Sequence, residues 1–326
     1  MGQVQRNLEF LKRSTSTALH EMRNKWKDTI LGVLTMKIES DGSIPHYWLG
    51  DVPLMTEHKG SIKFSDLAEM GLTITNKDYS AGIRAFRKDL SKPTAGALYK
   101  QRIQGLAEEA AVKFPIRHMW ELINSLHSTN CYDGQYFFDT NHKDPGAEYA
   151  TSQSNDLTAT AAVPAAPTLA EFRTAYNAQV SAMAGFKNDK GEYWFQEDEV
   201  KQGLVLFVPF NMEQTAIELF ESDKLPGPNG GLVTNPHYKR VTRIIASKRL
   251  EATASDVFYL FKTDQSVKPI IWQIEKVEGK EYRVEQTGLN SVAAVVDDEI
   301  LHTIKRTMKM APGQWRYAVR TDLNVS

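Results

Sequence analysis

Five consecutive apolar residues, Leu204-Val-Leu-Phe-Val208, stopped by Pro209, constrain this chain more than any other feature. A strand without polar alternation is suited to burial on both faces and therefore needs a layer above it and a layer below. The flanks supply them. Leu169, Phe172, Tyr176, Val180 and Met183 recur every three or four residues for the most part and predict a helix before the strand. A second helix is expected from about Met212 to Phe220, and Val241-Thr-Arg-Ile-Ile245 reads as another strand. Helix, strand, helix and strand make a compact α/β unit.

The chain has 326 residues, 41% hydrophobic and 24% charged, which is a soluble globular composition with room for one large or two ordinary domains. Its 39 basic and 40 acidic residues leave a formal charge of -1, so the whole chain has no electrostatic case for a dedicated nucleic-acid binder. The first 27 residues differ: Arg6, Lys12, Arg13, Arg23, Lys25 and Lys27 stand against Glu9 and Glu21. A single cysteine, Cys131, excludes an intrachain disulfide, fits a reducing cytoplasm and leaves stability to packing or association. There is no charged-then-apolar leader and no apolar run near the roughly 18 residues of a membrane span, so secretion and membrane insertion are not expected.

Before the α/β unit, Leu8, Leu11, Leu19, Met22, Trp26, Ile30 and Val33 mark an amphipathic helix or a broken pair. Its apolar face must lie across another part of the chain or a neighbour, or it is a plain first helix. Tyr79, Ala81, Ile83 and Ala85 alternate as one face of a strand, Leu72-Thr-Ile-Thr75 reads as its partner, and Asn76-Lys77-Asp78 as the hairpin turn between them. Residues 65–70 suit a short helix. After Pro93 and Thr94, Leu98, Ile103, Leu106, Ala110 and Phe114 predict a helix that Pro115 should kink or end, with helical spacing resuming at Met119, Trp120, Ile123 and Leu126. Residues 145–167, rich in Ala, Thr, Ser, Asn and Pro, read as a linker. Beyond residue 257 the chain is strand-like at Val257–Phe261, Pro269–Ile274, Tyr282–Val284 and Trp315–Val319.

The stretch Cys131-Tyr-Asp-Gly-Gln-Tyr-Phe-Phe-Asp-Thr-Asn-His142 is where chemistry is to be sought. Cys131, Asp133, Asp139 and His142 offer a metal set or a Cys/His nucleophile pair. The bland reading is stronger: four aromatics packing around an Asp133-Gly134 turn, with a second polar turn at Asp139-Thr140-Asn141. His118, His237 and His302 stand alone and read as surface or packing residues. Glu108-Glu109 and Asp297-Asp298-Glu299 read as solvated charge. Gly227-Pro-Asn-Gly-Gly231 lacks the Lys-Ser/Thr ending of a phosphate loop and reads as a flexible loop.

Taken in order, Tyr47-Trp-Leu-Gly-Asp-Val-Pro53, Asn76-Lys77, Arg87-Lys88-Asp89 and the Cys131–His142 stretch resemble the major head (capsid) subunit of Mu-like transposable phages. The likeness continues, with gaps, through Leu204–Pro209 and Ser266-Val-Lys-Pro-Ile-Ile-Trp-Gln273 to near the C-terminus. It departs at Asp89-Leu-Ser-Lys-Pro93, where the related pattern has an acidic run, and it matches the first 40 residues and the Ala/Thr-rich stretch poorly.

The resemblance implies an α+β chain of the Hong Kong 97-type capsid fold. Its parts would be an N-terminal arm over 1–36, an extended hairpin loop over 37–92 and a peripheral domain with a long spine helix over 93–167. An axial α/β domain over 168–254 and return strands over 255–326 that complete the peripheral sheet would follow. It implies self-assembly into pentamers and hexamers of an icosahedral head around double-stranded DNA, with a scaffold protein and a portal as partners and no membrane. It also implies a virion component, assembled in the bacterial host cytoplasm, that is not an enzyme and has no catalytic, cofactor-binding or metal residues. A Lys–Asn cross-link through Lys59 or Lys77 is not expected. Two other classes stay open: a soluble α/β enzyme using the 131–142 loop, which bound metal would betray, and an accessory decoration or tail-completion protein, which would form small closed rings.

Overall fold

The computed structural model describes residues 2–46, 71–143, 151–196, 198–227 and 231–325. In chain order the first elements are α1 (Gln3–Met22), α2 (Ile30–Leu34), β1 (Thr35–Ser40), β2 (Ile44–His46), β3 (Leu72–Ile74) and β4 (Lys77–Phe86). Next come α3 (Arg87–Leu90), α4 (Ala95–Glu108), α5 (Phe114–Ser125), β5 (Asp156–Ala161), α6 (Leu169–Ala184), β6 (Leu204–Pro209) and α7 (Glu213–Glu221). Then follow β7 (Lys224–Pro226), β8 (Leu232–Thr234), β9 (Arg243–Ser247), α8 (Lys248–Glu251), β10 (Val257–Lys262) and β11 (Ile270–Glu275). The last are β12 (Arg283–Gln286), α9 (Val292–Val296), β13 (Glu299–Pro312) and β14 (Ala318–Val325). They form two compact units, one of Met1–Ile44, Ile74–Glu121 and Trp272–Ala311, the other of Pro45–Thr73, Leu122–Ile271 and Pro312–Ser326.

The first unit is organised by β13, a 14-residue strand. Its sheet runs β1-β11-β13-β12, and β4 pairs with β13 antiparallel from Glu299↔Phe86 to Met308↔Lys77. Gly82 lets the strands pair closely there: a Cβ would come within 2.7 Å of Thr303 Cγ2 and force that side chain to shift. Against the sheet lie α1 and α4. No side chain caps α1 and no acid occupies its first turn, so packing rather than capping holds it. Leu8, Leu11 and Leu19 are buried, each worth about 1.5–3 kcal/mol. Asn7 Nδ2 donates to the Leu90 and Lys92 carbonyls at 2.7 and 3.2 Å, which fixes the register of the helix. The apolar face of the N-terminal segment thus finds its core within its own chain.

Two local expectations are met differently in this region. The turn at Asn76-Lys77-Asp78 does not form, since β3 pairs with β2 and β4 with β13. None of those three residues takes the positive φ that the tight hairpin turns require, and Asn76 instead donates to Ser40 Oγ, the Gly42 carbonyl and Glu275. The alternation of Tyr79, Ala81, Ile83 and Ala85 toward one side does hold. Pro115 does not end the helical run, which continues as expected through α5: a π turn at Glu109–Lys113 joins α4 to α5, accommodating the missing N–H by a local change of hydrogen-bond register. Residues 47–53, Lys59 and the short helix expected at 65–70 lie outside the described residues.

The second unit carries the sheet β5-β14-β10-β6-β9. All six residues of β6 and all six of β10 are buried, as a strand covered on both faces requires. The helix α6 begins with a capping box, in which Thr168 accepts from the Glu171 backbone and Glu171 reaches back to Thr168. Phe172 packs on Phe258 at 4.8 Å, and Tyr176 on Phe220 of α7 at 4.7 Å. Six residues of the stretch read as a linker, Asp156–Ala161, are in fact β5, an edge strand parallel to β14 from Asp156↔Arg320 to Ala161↔Val325. Alternating Thr and Ala are poor evidence for a strand until a partner from the far end of the chain supplies the ladder. The return strands divide as well: β10 and β14 join this sheet, whereas β11, β12 and β13 build the other.

Candidate functional site

The Cys131–His142 loop folds into a buried polar network of the second unit. His142 is fully buried and Asp133 nearly so. Nδ1 of His142 meets Asp133 Oδ2 at 2.6 Å, while Nε2 meets the Phe137 carbonyl at 3.2 Å and Asn155 Oδ1 at 3.1 Å. Nε2 faces two oxygens and so donates, while Nδ1 and the Asp133 carboxyl share a proton across their contact. Asn155 Nδ2 donates to the Phe137 and Trp315 carbonyls at 2.8 and 3.3 Å, and the Trp315 indole stacks on the His142 ring at 4.0 Å. Arg316 continues the network, donating to Tyr132 Oη at 3.0 Å and to the Lys187 carbonyl at 3.0 Å.

Cys131 takes no part in that ring chemistry. Its thiol donates to the Gly313 carbonyl at 3.4 Å, and burial pushes its ionisation well above the ordinary thiol range. Gly313 is required there, because a Cβ would come within 2.5 Å of the Lys268 carbonyl oxygen. Asp139 is turned away from the pair, accepting from the Asn141 backbone at 2.9 Å. Of the four candidate ligands the structure therefore joins two, Asp133 and His142. Among the described residues no group of three or more His, Cys, Asp or Glu side chains is placed to hold a metal ion. The arrangement ties a loop to β14 and its approach, with Cys131 buried as a thiol.

Two further buried polar groups lie in the first unit: one around Glu281, which the sequence did not single out, and one around His302, whose Thr15 partner it did not show. Glu281 accepts from Lys37 at 2.8 Å and from Arg306 at 2.6 Å. Burial works against its ionised form, but Arg306 and Lys37 outweigh it and hold the carboxyl below the usual range. Arg306 stacks over Trp272 and Tyr282 and donates to the Ala110 carbonyl in the π turn at 3.2 Å. His302, read as a lone histidine, is buried beneath α1 with Nε2 at 2.8 Å from Thr15 Oγ1. Ile300, His302, Ile304, Arg306 and Met308 alternate inward along β13. That period of two was the available signal, hidden by two polar members.

The surface is distinctive in what it leaves uncovered. On the five-residue helix α9, Val292, Val295 and Val296 are 78%, 69% and 72% exposed, followed at once by Asp297 and Asp298. Phe10 on the outer side of α1 is 42% exposed between Arg6 and Arg13, and all six basic residues of the first 27 are exposed. Leu232 and Val233 stand out on β8, whose hairpin with β7 has Gly227 donating to the Gly231 carbonyl at 2.7 Å. Residues 228–230 of that Gly-rich segment lie outside the described residues. Glu108 and Glu109 lie on the helix exterior and pair with Lys113 and Arg117. Among the described residues no helix is long and apolar enough to cross a membrane.

Comparison with known proteins gives these features a context. Residues 8–170, half of the chain, match the family described as Mu-like prophage major head subunit gpT. The Mu-like prophage FluMu major head subunit of Haemophilus influenzae is 31% identical over 110 residues, which cover 34% of this chain and 35% of that protein. The major capsid protein of Escherichia phage Mu is 30% identical over 95 residues, covering 29% and 30%. The matched stretches thus span about a third of these relatives' length. Among solved structures, a procapsid chain of bacteriophage JBD30 superposes with a TM-score of 0.56 over 98% of this chain and 76% of that one, at 19% identity. At that identity the likeness is one of fold: the mixed helix-and-strand fold of a phage capsid protein.

Proposed function

The chain belongs to the Mu-like prophage major head subunit gpT family, and we propose that it self-assembles into the pentamers and hexamers of an icosahedral head enclosing double-stranded DNA. Its role is assembly rather than a reaction. The observation that carries this reading is the cluster of valines on α9, three large apolar side chains at the surface of a single helical turn. A monomer gains nothing by exposing them, and a shell built of many copies covers such patches by repetition of the same contact.

The first unit suits the peripheral domain, with α4, the π turn and α5 together as its spine helix. The second unit, with its doubly covered strands, suits the axial domain that surrounds the capsomer axes. Of the segment expected as an extended loop, 37–92, the strands β1 and β4 and the helix α3 are held in the first unit, so only the part between β1 and β4 is left to lie over an adjacent subunit. A separate scaffold protein and a portal would complete the assembly in the host cytoplasm. The basic side chains of α1 and of the turn after it are the candidates for non-specific phosphate contacts with packaged DNA. Because the inner side of α1 is part of a core, removing residues 1–27 would damage the fold as well as the contact; charge substitutions are the cleaner probe.

Size-exclusion chromatography and negative-stain microscopy of the wild type beside a Val292→Ser, Val295→Ser, Val296→Ser variant test the proposal. Assemblies in the wild type that fall to single folded subunits in the variant support it. An unchanged monomer in both, with or without co-expressed scaffold, would count against it.

A further inference from the structure

Beneath α1 the first unit has two apolar clusters separated by one polar contact. Leu8 and Leu11 pack with Ile103 and Ile300, and Ala18 and Leu19 with Ala107 and Ile304. Thr15 and His302 sit between them, one on the helix and one on the strand. The proton positions follow from the partners. The Thr15 hydroxyl donates to the Leu11 carbonyl at 2.9 Å, so its oxygen accepts from His302 Nε2–H at 2.8 Å and Nδ1 keeps a lone pair. That Nδ1 is buried without a hydrogen-bond partner, and so is Nε2 of Gln286, the residue paired with His302 across the strands. A second ring proton would sit on Nδ1, facing no acceptor.

We infer that His302 makes the seating of α1 acid-labile: the helix stays down while the imidazole is neutral and is released when the ring takes a second proton. The imidazolium gains water or an acceptor only if this contact opens. The inference goes beyond assembly and holds for an unassembled chain. Burial alone lowers the ionisation of His302 from its ordinary value of 6.5. No acid on the surrounding elements contributes, neither Glu9 on α1, Glu108 on α4 nor Glu285 on β12. The bases Lys12, Arg13, Lys100, Arg102, Arg84, Arg283, Lys305 and Arg306 on the same set of elements add no charge interaction either. A group whose folded-state value is depressed binds fewer protons when folded. Its stabilising contribution is therefore complete above about 6.5 and is lost as pH falls below it. Released, α1 would offer Leu8, Leu11, Ala18 and Leu19 on one side and a basic face on the other, an amphipathic element free to dock elsewhere.

Hydrogen–deuterium exchange of the full chain at about pH 7.5 and 5.5, corrected for intrinsic rates and referenced to α6, reads the release. In the wild type α1 should lose protection by up to about tenfold per pH unit below 6.5. His302→Gln, whose amide keeps a donor for Thr15 and does not titrate, should hold within about twofold. A flat wild-type profile, as a Gln286 amide turned to accept the second proton would give, overturns the inference. So does an undiminished fall in His302→Gln. Should that variant not fold, the imidazole NMR signal of His302 in the wild type decides: its protonation must span the pH range in which α1 opens, and titration elsewhere overturns the inference.

Discussion

Two buried histidines, one in each unit, are held in opposite ways. Both nitrogens of His142 are hydrogen-bonded, one to the Asp133 carboxyl and the other to a pair of oxygens, and the ring stacks on Trp315. His302 donates from one nitrogen to Thr15, and its other nitrogen meets nothing. The first is a pin, complete in its hydrogen bonds, that fastens a loop to β14 and the turn before it. The second is a joint whose strength depends on the charge of the ring. Burial alone does not distinguish them; the count of acceptors around each ring does.

The largest effect is expected at the pin. Asp133→Ala leaves His142 buried with one donor unanswered and should cost about 3–5 kcal/mol of stability. Urea unfolding followed by tryptophan fluorescence measures it, and a loss under about 1 kcal/mol would erase the contrast between the two sites. At the joint, Thr15→Val removes a single neutral acceptor and should cost about 1–3 kcal/mol near pH 7.5. Exchange protection of α1, with that of α6 unchanged, would localise the loss. The smallest effect on folding is expected for Arg6→Gln, Lys12→Gln and Arg13→Gln together, all exposed, which should move stability within about 0.5 kcal/mol per substitution. The same variant should bind DNA more weakly and with a shallower salt dependence; an unchanged slope in a filter-binding series would remove α1 from the candidate phosphate contacts.

The two units also differ in how far the amino-acid sequence foretold them. In the second unit, Leu204–Val208 and the spacing of Phe172, Tyr176 and Met183 led directly to β6 and α6, because each pattern is local and purely apolar. In the first unit the central strand β13 went unread. Its inward face interrupts Ile300, Ile304 and Met308 with His302 and Arg306, and polar residues at core positions erase the alternation by which strands are recognised. The Asn76–Asp78 turn failed for a related reason: two neighbouring extended runs look like a hairpin until a longer partner from far along the chain, β13, takes one of them. The strand β5 was concealed by Thr and Ala, whose preference is settled only by the ladder to β14. At the 131–142 loop the residue types were legible, but not their partners: Asn155 lies beyond the loop in the stretch read as a linker, Gly313 and Trp315 lie far along the chain, and together they decide that Asp133 and His142 form a fastening while Cys131 stays a neutral thiol.

The most direct test of the assembly reading is negative-stain electron microscopy of the purified wild-type chain, with size-exclusion chromatography, alone and with a co-expressed scaffold protein. Shells, tubes or five- and six-fold rings are the predicted result. A folded, monodisperse monomer under both conditions would contradict it.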